Sequence, residues 1–156
     1  MKPTHFKQQT DYTCGPACMR TILASFGIKK SERWLARFMK TNKKIGTKTN
    51  YFPKVAAFFH LEHYYKYGAK ITDIINALRN GYIVIVLTFL PNFKEAHYSI
   101  VKKIDRRRVL FNDPWFGQGH RLNKKVFIKN WHDNTHRAPK TRWFFAIKKT
   151  KTAKCS

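Results

Sequence analysis

The chain has 156 residues, 43% of them hydrophobic and 15% aromatic, which suits one domain with a real core and argues against disorder. Thirty-two Lys and Arg against eight Asp and Glu leave a formal charge of +24, so the surface is mostly positive and favours anionic partners such as nucleic acid, an acidic peptide or an anionic membrane surface. A generally basic proteome would give the same composition with no such partner.

Residues 1–13 contain no apolar run of signal-peptide length, and the longest apolar stretch, Tyr82 to Leu90, is far too short to span a bilayer. A cytoplasmic protein without a membrane span is therefore expected. Cys14, Cys18 and Cys155 are odd in number, with one in the tail, and this is no disulfide framework. A reducing compartment fits.

Thr13 to Gly27 reads as a helix, with Pro16 in its first turn, Cys18, Ile22 and Phe26 at four-residue spacing and Gly27 as a stop. Ser31 caps a second helix running to about Met39, which carries Trp34, Leu35 and Phe38 on one side. A third follows Pro53, through Val55 to Phe59. Glu62 to Tyr67 reads as a short strand, and Ile71 to Asn80 as a helix ended by Gly81.

The second half changes character. Tyr82 to Phe89 is a β-branched run closed by Pro91, and Ala96 to Ile104 and Val109 to Asn112 read as strands around a polar turn. Asn123 to Trp131 reads as a helix and Arg142 to Lys148 as a last strand. Helices first and antiparallel strands later predict an α+β fold. Residues 1–148 form a single domain on this reading, and 149–156 a basic, frayed tail.

Cys14 is placed at the start of the first helix, where the positive end of the helix dipole favours a thiolate nucleophile. Gly15 removes bulk beside the sulfur and Pro16 fixes the first turn. Alone, such a cysteine is more often a small buried core residue. A nucleophile also needs a base, and the base an orienting partner. His97 and Asp113 flank the predicted hairpin symmetrically about Asp105, which predicts that they stand directly opposite one another, close enough for the carboxylate to hold the imidazole. Taken singly, His97 is a half-buried strand histidine and Asp113 a turn former before Pro114. Together with Cys14 they meet three independent requirements of one site.

The sequence resembles the papain-like cysteine peptidases that include the double-glycine leader peptidases of bacteriocin export systems and their stand-alone relatives. The resemblance rests on Gln8 six residues before Cys14, on Asp11-Tyr12-Thr13-Cys14-Gly15-Pro16-Ala17, on His97-Tyr98-Ser99-Ile100-Val101, and on Asn112-Asp113-Pro114 followed by Gly117. It implies a helical half packed on an antiparallel sheet. It also implies Cys14 as nucleophile, His97 as general base and then acid, Asp113 as the residue orienting His97, and Gln8 as oxyanion-hole donor. Gln9 competes with Gln8, and only the six-residue spacing separates them. The implied substrate is a peptide or protein, with leader peptides and acidic segments as candidates, and the implied form is stand-alone. The Lys-rich surface and the aromatic block His60 to Tyr67 have no counterpart in the family pattern.

Other readings use the same residues. Cys14 and Cys18 lie one helical turn apart, but a structural zinc site needs four ligands and no second paired cluster exists. Neither a metal nor another cofactor is expected, and Cys18 is assigned to the core. His60 with His63, and His132 with His136, are expected on surfaces. A non-peptidase amide hydrolase or acyltransferase would employ the same thioester chemistry. A nucleic-acid or acidic-partner binding protein would pair the Lys and Arg with Trp34, Tyr64, Tyr65, Trp131 and Trp143, and would leave the Cys, His, Asp and Gln set without a use.

Overall fold

The computed structural model of the chain describes residues 5–133 and 142–151. The elements run α1 (Cys14–Ser25), α2 (Glu32–Phe38), α3 (Tyr51–Phe58), β1 (Glu62–Lys66), α4 (Ile71–Arg79), β2 (Ile83–Leu90), β3 (Glu95–Ile104), β4 (Arg108–Asp113), β5 (Gly117–Asn123), α5 (Lys124–Asn130) and β6 (Phe144–Lys148). Every strand pairs antiparallel in one sheet of order β1-β6-β2-β3-β4-β5. The α+β expectation holds. No helix among the described residues is long and apolar enough to cross a membrane.

Side chains along a strand alternate between faces, and here both faces are buried. Ile85, Leu87, Tyr98, Ile100, Phe145 and Ile147 point into one core with Met19, Ile22 and Leu23 of α1, Leu35 of α2 and Phe52 and Val55 of α3. Val84, Val86, Val101, Phe144 and Ala146 point into the other, against Ile74 and Ala77 of α4 and Phe127 of α5. That double burial is why β2 reads Ile-Val-Ile-Val-Leu with no polar alternation. Local signals set the helix ends. Ser31 Oγ accepts from Trp34 N at 3.0 Å to start α2, and Gly27 (φ +82°) and Gly81 (φ +82°) take left-handed conformations just beyond α1 and α4.

Three expectations need correction. Helix α3 begins at Tyr51, before Pro53, because a proline in the first turn lacks only an N–H that would have no intrahelical partner. Strand β5 was absent from the sequence reading, since Gly117-Gln118-Gly119-His120 has little strand propensity; pairing with β4 along six positions makes it a strand. The third correction concerns the β3–β4 hairpin. Its partners are Ile100↔Asn112 and Val101↔Phe111, then, past a bulge at Lys102, Lys103↔Leu110 and Ile104↔Val109. Asp105 Oδ1 accepts from Arg107 N (2.8 Å) and Arg108 N (2.7 Å), so the turn lies beyond 105. Continuing the Ile100↔Asn112 register brings Asp113 level with Ser99. His97 and Asp113 are therefore diagonal neighbours on adjacent strands rather than directly opposed. Of the predicted tail, 149–151 are described and 152–156 lie outside the described residues.

Candidate active site

Cys14 is the first residue of α1, preceded by Thr13 in a non-helical conformation. Thr13 accepts from Ala17 N through its carbonyl (3.0 Å), but its hydroxyl turns back to Thr10, meeting Thr10 N at 3.2 Å and Thr10 Oγ1 at 2.7 Å. The first amides of α1 thus carry no side-chain cap. A helix start with open N–H groups is a ready anion site. Cys14 itself is half-buried and reachable, whereas Cys18, one turn on, is in the core with its Sγ 3.6 Å from Tyr98 O. Burial pushes the Cys18 thiol well above its ordinary pKa, with the charges of Cys14, Asp113 and Glu32 acting in the same sense.

His97 and Asp113 form a buried pair, 6% and 2% exposed, at the near ends of β3 and β4. Nε2 of His97 lies 2.9 Å from Asp113 Oδ1 and 3.1 Å from Oδ2. The diagonal register succeeds because the two side chains span what the backbone does not. Asp113 Oδ1 also accepts from Trp115 N (2.8 Å) and Phe116 N (2.9 Å), which locks the carboxylate. Burial would raise the Asp113 pKa, but the His97 bond and charge and the two backbone amides together hold it below the usual carboxylate value. Burial would likewise lower the His97 pKa; bonds with Asp113 and Cys14 outweigh it and push the value up to about 10. With Nε2 occupied by Asp113, Nδ1 is the ring nitrogen left to serve Cys14.

Gln8 and Gln9 differ in burial. Gln8 is buried and Gln9 exposed. Gln8 Nε2 donates to Thr10 O at 2.7 Å, leaving a second hydrogen for another acceptor. The Gln8 backbone N–H donates to Pro114 O at 2.9 Å, tying this segment to the loop after Asp113. The four predicted side chains thus come from three parts of the chain that touch one another.

Several supporting residues escaped the sequence reading. Glu32, 2% exposed, accepts from Gln9 N through both oxygens (2.9 and 3.2 Å) and holds the Gln8–Thr13 segment against α2. Burial raises its pKa, opposed by the Gln9 and Thr13 bonds and the Arg20 charge. Tyr98 OH donates to Thr47 O at 2.6 Å, and Thr47 Oγ1 bonds Thr41 Oγ1 at 2.6 Å. Thr47 packs so closely on Gly15 that a Cβ there would lie 2.8 Å from Thr47 Oγ1. Glycine is required beside the sulfur by this close approach. Glu32 reads in sequence as an ordinary acidic residue in a first helical turn, and Thr47 as a loop residue, so neither carried a signal.

Among the described residues no group of three or more His, Cys, Asp and Glu side chains could hold a metal. His63 and His132, expected on surfaces, are half-buried: His63 Nδ1 lies 2.9 Å from Leu61 O, and His132 stacks on Phe89 at 5.4 Å. His136 lies outside the described residues.

The profile of the Peptidase_C39 like family matches residues 3–139, which include Gln8, Cys14, His97 and Asp113. An uncharacterized protein of Methanothermobacter marburgensis is 30% identical over 128 residues, 82% of each chain, and one of Methanothermobacter thermautotrophicus is 32% identical over 111 residues, 71% of each. The fold is similar to the peptidase domain of Streptococcus ComA, a bifunctional ABC transporter involved in quorum sensing, with a TM-score of 0.75 and 19% identity over 95% of this chain and 99% of that one. It is also similar to a double glycine motif protease from an AMS/PCAT transporter in complex with the leader peptide (TM-score 0.66, 17% identity, 94% and 91% covered). The α+β domain is therefore a papain-like cysteine peptidase fold, and the chain belongs to the Peptidase_C39 like family.

Proposed function

We propose that the protein is a cysteine peptidase that hydrolyses peptide bonds through a thioester on Cys14. The observation that carries this reading is the buried His97–Asp113 pair, with Nε2 2.9 Å from the carboxylate, acting on a half-exposed cysteine at an uncapped helix start.

A His97 pKa of about 10 keeps the imidazole protonated near neutral pH, which favours a thiolate–imidazolium pair with Cys14. The thiolate attacks the substrate carbonyl carbon. Charge moves to the carbonyl oxygen, where the Cys14 backbone N–H and the second Nε2 hydrogen of Gln8 donate to it. Collapse of this intermediate breaks the C–N bond, and His97 Nδ1–H gives its proton to the departing amine. A water then loses a proton to Nδ1 and attacks the thioester; the C–S bond breaks, the ion pair is restored, and the carboxylic acid released gives its proton to solvent. Asp113 holds the Nε2–H tautomer and orientation throughout.

The substrate is a peptide or protein. The leader peptide bound to the transporter protease supports a leader-like segment, and the +24 charge supports an acidic one. Alkylation with iodoacetamide near neutral pH should label Cys14 and spare Cys18, and peptide hydrolysis should vanish in Cys14→Ala and His97→Ala. Equal labelling of the two cysteines, or wild-type hydrolysis by both variants, would overturn the proposal.

A further inference from the structure

The turn between β2 and β3 and the loop after Asp113 bring exposed aromatic rings together beside His97. Phe116 meets the edge of the His97 ring (centroids 6.1 Å, planes at 76°), stacks on His120 at 4.5 Å and touches Phe93 at 6.3 Å. Even so, Phe116 is 42% exposed, Trp115 42% and Phe93 51%. Phe93 and Phe116 thus present adjoining apolar surface to water beside His97, and Trp115 is exposed at the neighbouring position of the same loop. Contiguous apolar surface of this kind marks a place where something binds.

The shelf is fixed relative to the chemistry. Asp113 Oδ1 accepts from both Trp115 N and Phe116 N while it holds His97, and Pro114 O accepts from Gln8 N. One carboxylate therefore sets both the imidazole and the backbone carrying two of the three rings. A rigid apolar surface recognises a bulky apolar group without first having to be ordered. It covers a large apolar side chain and gains little from a small one.

We propose that Phe93 and Phe116 form a substrate subsite on the His97 side of the cleft that takes a bulky apolar side chain, aliphatic or aromatic, close to the scissile bond. This rests on the peptidase reading and adds a substrate class to it. The overall positive charge attracts acidic segments at long range, and the shelf selects at the bond itself. Covering a large apolar side chain there should favour it over alanine by roughly 10- to 100-fold.

The test is to digest a random peptide library with the wild-type protein and sequence the cut ends. Leu, Ile, Met, Phe, Tyr and Trp should be enriched at one position flanking the cut. Phe93→Ala and Phe116→Ala should each reduce that enrichment by about tenfold. Phe93 does not touch the His97 ring, so Phe93→Ala stays informative if Phe116→Ala disturbs the imidazole. Phe58→Ala, on a ring of similar exposure (54%) in α3, should leave the profile unchanged. Cutting with no apolar enrichment, or enrichment that survives both shelf substitutions, overturns the subsite and leaves the peptidase reading intact. If the wild type cuts nothing, the peptidase reading falls instead. The same library captured on Cys14→Ala protein then decides the shelf: an apolar preference lost in Cys14→Ala/Phe93→Ala upholds it, and no preference overturns it.

Discussion

Asp113→Asn separates the charge of the carboxylate from its shape. The asparagine Oδ1 can still accept from Trp115 N and Phe116 N, so the loop stays in place, but the second oxygen, 3.1 Å from His97 Nε2, becomes an NH2 group. A hydrogen bond to a charged group contributes about 1.5–3 kcal/mol and a neutral one about 0.5–1.5, so losing the charge destabilises the imidazolium by roughly 1–2 kcal/mol. That alone lowers kcat/KM by about 5- to 30-fold. Oδ1, 2.9 Å from Nε2, still accepts its hydrogen, so the tautomer is kept and the lost charge carries the effect. We expect Asp113→Asn to stay within that range and above Asp113→Ala, which loses the acceptor for Nε2 and the anchor of the loop as well. The pH profile gives the sign independently. Burial, which lowers the His97 pKa, persists in the variant, while the carboxylate that helps raise it to about 10 is gone. The alkaline limb of kcat/KM should therefore move to lower pH. Steady-state hydrolysis of a fluorogenic peptide between pH 5 and 10 measures both effects; Asp113→Asn within threefold of wild type, with an unmoved alkaline limb, would show that the carboxylate charge does not hold the imidazolium.

Three further outcomes are expected. Gln8→Ala should lower kcat by about 10²- to 10³-fold with little change in KM, and Glu32→Ala should give a smaller loss of the same kind that Glu32→Gln, which keeps an acceptor for Gln9 N, largely restores. Unchanged kcat in Gln8→Ala would remove it from the oxyanion site. Gly15→Ala gains about 1 kcal/mol of helix propensity but forces a Cβ to 2.8 Å from Thr47 Oγ1, and Thr47 is held by Thr41 and Tyr98. Overpacking at about 1–3 kcal/mol outweighs the gain, so thermal unfolding monitored by circular dichroism should shift down by a few degrees; an upward shift would show that Thr47 yields. If acidic segments are preferred, kcat/KM for an acidic peptide should fall as salt rises while that for a neutral one holds, and parallel salt curves would dismiss the preference.

The elements were readable because their signals are local. Ser31 caps within three residues, Gly27 and Gly81 end helices at the next position, and the apolar run of β2 declares burial on both faces. Strand β5 escaped because its residues are poor strand formers and only β4 makes them a strand. Symmetry about Asp105 pairs His97 with Asp113 but misses the register: a bulge at Lys102 and a turn beyond Asp105 leave the pair diagonal, and side-chain reach closes the gap. The order Gln8, Cys14, His97, Asp113 and the placing of Cys14 at a helix start belong to the sequence by itself, since each depends on residue type and spacing along the chain. The burial of Gln8 beside an exposed Gln9, the Glu32 clamp on Gln9 and the Thr47 contact that requires Gly15 arise only in the folded chain. They join residues far apart in the chain through packing geometry, and no local pattern encodes which distant side chain a buried amide or a helix face will meet.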